Sequence, residues 1–185
     1  MRKWLLLAVA LAVLLAGWRP APKEPEGLGL VRVLGVDGAG PVALTAVCGG
    51  DDQGNQSRGR HTGGNFAKAL EGLPWAGEEE LSLTSVSYII VGRDVALKEI
   101  LLAVLRNEEL GASATVWLAE EGAAALLDGC RDPASGLDLL ARRGIEAPTV
   151  VKALAALERG EVLTLPLLTG DGPVLIDWEE WRGSA

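Results

Sequence analysis

The sequence predicts an α/β fold with an α+β-like mixed sheet: a single compact domain behind an N-terminal signal or anchor helix. Three observations carry this. Two β-branched-rich runs, Leu28–Val36 and Pro41–Cys48, flank Asp37-Gly38-Ala39-Gly40, and an Asp-Gly between apolar runs marks a hairpin. Strand-like runs at Leu81–Gly92 and Ala112–Ala119 bracket a helical stripe, a series most economically folded as a right-handed parallel crossover. Apolar residues make up 49% of the 185, enough for a core of its own.

The elements follow in order. After the first hairpin, residues 49–64 (GGDDQGNQSRGRHTGG) are polar and glycine-rich and read as an exposed, mobile loop. Asn65–Leu73 places Phe66, Ala69, Leu70 and Leu73 at helical spacing, stopped by Pro74. Leu81–Gly92 (LSLTSVSYIIVG) is a strand entering the core. Asp94 then caps a helix whose stripe is Leu97, Ile100, Leu101, Val104 and Leu105. In the next strand Ala114, Val116 and Leu118 share one face, with Ser113, Thr115 and Trp117 on the other. Short helices are expected at Ala123–Leu127 and Gly136–Arg142. A longer one spans Pro148–Arg159, with Pro148 in its first turn and Gly160 at its stop. Val162–Leu168 and Pro173–Trp178 close the chain as a hairpin around Gly170-Asp171-Gly172. There is no internal repeat.

The N-terminus is a leader. Met1-Arg2-Lys3 is positive, and Trp4–Trp18 carries no charge: long for an h-region, short for a comfortable membrane span. Candidate cleavage points after Ala16 and Ala21 have Leu14 and Arg19 at −3, so residues 1–18 are a signal peptide or an uncleaved anchor with its positive end in the cytoplasm. Residues 19–27 (RPAPKEPEG) form a Pro-rich tether, and 28–185 form the domain.

The formal charge of −8 repels phosphate backbones and anionic headgroups, which argues against nucleic-acid binding. Two cysteines, Cys48 and Cys130, and a single histidine are too few soft ligands for a zinc site; the cysteines read as buried small apolar residues or as one disulfide. Asp51-Asp52-Gln53-Gly54-Asn55 lacks the alternating ligands and distal Glu of a calcium loop. The glycines near Arg58–Asn65 lack a phosphate-cradling pattern. His61 falls in the 49–64 loop without a positioned partner, Ser82, Ser85 and Ser87 read as one strand's polar positions, and Glu78–Glu80 reads as a solvated run. No catalytic constellation, cofactor motif or metal site emerges. Binding or assembly is the expectation, with Trp178 and Trp181 as candidate partner anchors and Trp117 in the core.

Several blocks together resemble the N-terminal domain of the Ger(x)C (GerAC-like) spore germination proteins, the C-subunits of germinant receptors in endospore-forming bacteria. They are LGVD at 34–37, GGNFAKALEGLP at 63–74, YIIVGRDVA at 88–96, LRNEEL at 105–110, ATVWLAEEGAAALL at 114–127 and LTLPLL at 163–168. Order and spacing, rather than any one block, carry the likeness. It implies a non-enzymatic, membrane-associated subunit on the outer face of the cell membrane or spore inner membrane. Such a subunit works with integral-membrane receptor subunits in nutrient-triggered germination, with a small-molecule germinant at most indirectly bound. The family's lipidated Cys is missing here, because Gly17 runs into Trp18, and family members carry further C-terminal domains. The alternative expectation is a secreted or tethered small-ligand binding domain using the strand end at Gly92-Arg93-Asp94. A secreted hydrolase rests on export alone.

Overall fold

The computed structural model describes residues 28–50, 56–75, 80–170 and 173–181. The leader, the tether, Asp51–Asn55, Glu78, Glu79 and the Asp171-Gly172 turn lie outside them. The elements are β1 (Leu28–Asp37), β2 (Val42–Cys48), β3 (Arg58–Gly63), α1 (Phe66–Gly72), β4 (Glu80–Ser82), β5 (Tyr88–Val91), α2 (Leu97–Arg106), β6 (Thr115–Ala119), α3 (Ala123–Gly129), α4 (Pro133–Arg142), α5 (Val150–Glu158), β7 (Leu163–Thr169) and β8 (Val174–Trp181). A turn of 3₁₀ helix, Leu73–Trp75, follows α1.

The strands form one mixed sheet in the order β3-β2-β1-β5-β6-β7-β8, with β4 also on β1. Strands β1, β5, β6 and β7 are parallel; β2 and β3 extend one edge antiparallel, and β8 lies antiparallel to β7 at the other. The fold is therefore α/β with a mixed sheet, and β5–α2–β6 is the expected parallel crossover.

Side-chain alternation builds two cores from one sheet. Val116 and Leu118 of β6 point to the side covered by α1, α2 and α5, whereas Trp117 and Ala119 point to α3 and α4. In β1 a bulge changes the phase: Val31 pairs with Cys48 but Val33 with Val47, leaving Arg32 as the extra residue. Val31 and Val33 consequently face opposite cores, although two residues apart. Gly35 is needed on the α3 side, where a Cβ would lie 2.7 Å from Leu127 Cδ1 and 3.2 Å from Ala123 Cβ.

The structure corrects the sequence reading at several points. Residues 58–63 are not a loop but strand β3, paired with β2 from Val47↔Arg58 to Val42↔Gly63. Nothing in Arg-Gly-Arg-His-Thr-Gly has strand periodicity; the partner strand and α1 supply the reason. A Cβ on Gly63 would meet the Ala69 backbone nitrogen at 2.3 Å, so only glycine admits α1 at that distance.

The 81–92 strand is two strands in line along β1, with β4 pairing Leu28–Leu30 and β5 pairing Val33–Val36. The intervening turn drives Leu83 and Val86 into the core, and the Val86 N–H closes it onto the Leu83 carbonyl at 3.1 Å. Ser85 and Ser87 thus lie outside any strand. Helix α4 begins three residues early, because Asp132 caps it with Pro133 in its first turn; α5 begins after Pro148, with Thr149 as its cap. Leu105 turns outward at 39% exposure, while the other four stripe residues of α2 are buried. Trp117 is buried as expected, and the α1, α3 and closing-hairpin readings agree with the observed elements.

Candidate functional site

The carboxyl ends of β1, β5 and β6 converge where the fold changes sides: β5 leads to α2 on one face, β6 to α3 on the other. Such a switch point is where α/β sheets place ligands. Here it is occupied by the chain itself. Asp37 ends β1, and its carboxylate accepts from the Ala123 N–H (2.7 Å) and the Ala124 N–H (2.8 Å). Helix α3 lacks a cap of its own, since the residue before it is Gly122 at φ +103° with no side chain to offer. Asp37 supplies that cap from 86 residues away.

Gly92 makes the arrangement possible. Its N–H continues the ladder to the Val36 carbonyl at 2.9 Å, and a Cβ there would stand 2.5 Å from Asp37 Oδ1 and 3.2 Å from Asp94 Oδ1. Both carboxylates therefore close over a glycine. Asp94 does not cap α2 as expected: its carboxylate accepts from the Gly38 N–H at 3.4 Å, and α2 starts after Ala96 with no side-chain cap. Between them, Arg93 reaches across to Glu179 of β8 at 2.7 Å. Chemically this cluster fixes strand ends and a helix start.

A second set of contacts ties β1, β3 and β5 to the α3–α4 layer. Arg58 donates to the Cys130 carbonyl (2.6 Å), Arg60 pairs with Asp128, and Gln56 donates to Asp132 (3.0 Å). Burial opposes ionisation of Asp132, but hydrogen bonds from Ser135 and Gln56 outweigh it and hold its carboxyl below the usual range. The Tyr88 hydroxyl donates to Asp138, which also lies 3.6 Å from Arg32. Burial, then the hydrogen bond and charge of Asp138, push the Tyr88 phenol up to about 12. Burial likewise pushes the Cys130 thiol up, and Cys48 and Cys130 are both buried thiols outside any disulfide. Trp117 donates its indole N–H to Thr115 Oγ1 at 2.9 Å, so its polar edge is satisfied within the core.

The α1/α2/α5 side carries open space instead. A cavity of about 640 Å³ lies between α2, the end of α5 and β8, lined by Val95, Leu97, Leu157, Val162 and Trp181 among others. Cavities of about 440 and 270 Å³ run between α1 and α2, meeting at Phe66, Ala67 and Ala103. None of the three is lined by Gly92, Arg93 or Asp94.

The predicted site residues separate. Trp178 is 43% exposed, while Trp181 is partly buried against the core; the register Pro166↔Trp178 and Leu163↔Trp181 puts them on opposite faces of β8. His61 is positioned on β3, where a Cβ on Gly72 would touch its ring at 2.2 Å, so it packs against the end of α1. Among the described residues no group of His, Cys, Asp or Glu is disposed to hold a metal, and no helix is long and apolar enough to cross a membrane. The reach of Asp37 to α3 was missed in the sequence. Its signal was a helix start, Glu-Glu-Gly-Ala-Ala, with no capping side chain of its own.

No family model, curated protein or solved structure matches this chain.

Proposed function

We propose that the chain is an exported, membrane-associated, non-enzymatic subunit of the germinant-receptor C-component type. In this reading it acts in nutrient-triggered spore germination by assembling with integral-membrane partners. The supporting observation is how the blocks behind the resemblance meet: LGVD in β1 pairs in register with YIIV in β5, and Asp37 from the first block caps the helix of AEEGAAALL. The one polar side chain of the first block is thus committed to capping a helix of another block, which is scaffold work. The exposed indole of Trp178, on the edge strand β8, provides a partner anchor.

The test is fractionation of spores from the source organism, followed by affinity capture of the tagged full chain in mild detergent. The expected result is recovery with the inner membrane, together with multi-span membrane proteins. Recovery from the soluble fraction with no membrane partner, or a source that forms no spores, overturns the reading.

A further inference from the structure

The largest of the three cavities has a character that assembly does not use. At about 640 Å³ it falls within the ~300–1,000 Å³ range of small-ligand sites. Its walls are aliphatic, from Val95, Leu97, Leu157 and Val162, and β8 adds the indole of Trp181. Three charged residues line it: Lys98, Glu99 and Glu161. Two of them are already matched. Lys98 pairs across to Glu158 of α5 at 3.0 Å, and Glu161 takes two hydrogen bonds from Arg159 at 2.6 and 2.8 Å.

That leaves Glu99, an exposed residue at the rim between this cavity and the 270 Å³ one, which has no ion pair among the described residues. Among the described residues the cavity thus combines an apolar wall, one aromatic ring and one negative charge without an ion-pair partner, in a chain of net charge −8. An anion is repelled by such a lining. A neutral apolar molecule leaves the exposed Glu99 carboxylate without a partner and gains nothing from its charge. A positive charge on an apolar body answers all three features, because it pairs with the carboxylate and is attracted to the indole while its hydrocarbon fills the aliphatic wall.

We infer that the α2–α5–β8 cavity binds a small organic cation, an alkyl- or arylammonium compound, with Glu99 and Trp181 as its recognition residues. The site is separate from the carboxyl edge at Gly92–Asp94 and from the exposed Trp178, which lies on the other face of β8. It does not depend on the proposed role in germination.

The experiment uses purified full chain and three probes of similar size: benzyltrimethylammonium, benzyl alcohol and benzoate. Binding is followed by calorimetry and by change in tryptophan emission. The ammonium probe is expected to bind saturably in the millimolar range and the other two not measurably. Glu99→Gln, on an exposed position that leaves the fold intact, weakens the ammonium probe by about twofold to fivefold, the range for a solvent-exposed ion pair. Trp181→Leu does the same and removes the emission change, whereas Trp178→Leu alters neither. Equal affinity for benzyl alcohol or benzoate, no saturable binding of the ammonium probe, or full affinity in Glu99→Gln overturns the inference.

Discussion

Both faces of the sheet carry an apolar core, and they differ in the polar contacts added to it. On the α3/α4 face, helices are latched by long-range polar contacts: Asp37 to the start of α3, Arg60 to Asp128, Gln56 to Asp132 and Tyr88 to Asp138. On the α1/α2/α5 face the helices rest on apolar stripes, and the inter-helix ion pair there, Lys98–Glu158, is half exposed on both sides. All three cavities lie on that second face. Hydrogen bonds are directional and set helix position closely, while apolar contact tolerates gaps between neighbours. The polar contacts fix where α3 and α4 sit, and the other face has room for a ligand.

Truncation in the latched core breaks this contrast most severely. Trp117→Ala removes the bulkiest fully buried side chain and its bond to Thr115, and about 3–5 kcal/mol of stability is expected to go with it in urea unfolding.

Asp37→Ala comes next. It leaves two N–H groups at the start of α3 without acceptors, for a loss of about 1–3 kcal/mol; Asp37→Asn, with one oxygen remaining, recovers part of it. Loss of amide-exchange protection is expected at α3 and not at α2. Equal loss on both faces contradicts the picture of a local latch.

Tyr88→Phe is smaller at neutral pH, about 0.5–1.5 kcal/mol for one hydrogen bond. Its signature is in alkali. The folded phenol titrates near 12 against 10.0 for a free one, so the folded state holds the proton longer. The stability it contributes is fully present below pH 10.0 and declines as pH rises through about 12, and Tyr88→Phe removes that slope from alkaline unfolding curves.

Lys98→Ala on the open face marks the bottom of the scale, within about 1 kcal/mol because the pair is solvated. A cost comparable to that of Asp37→Ala means that the two faces are held alike.

How much was legible depended on whether a residue's partner was near in sequence. The alternation in Ala112–Ala119 sorted Trp117 from Val116 and Leu118 correctly, since a strand's period is local. The stripe of α2 was read to within Leu105 for the same reason. Asp94 was misread because a local capping rule fits it, yet the Gly38 N–H, 56 residues away, takes its carboxylate. Of the candidate site, Trp181 was legible as a residue but not as the wall of a cavity.

By itself the sequence determined the α/β class, the hairpins at either end, the crossover between β5 and β6, and the burial of Trp117, all of which follow from period and turn chemistry within a few residues. Only the tertiary structure decided that Arg58–Gly63 is a strand, that one long apolar run divides into β4 and β5, and that Asp37 caps α3. Those outcomes rest on contacts 11 to 86 residues apart in the chain, and no local pattern encodes a partner that arrives only when the sheet closes.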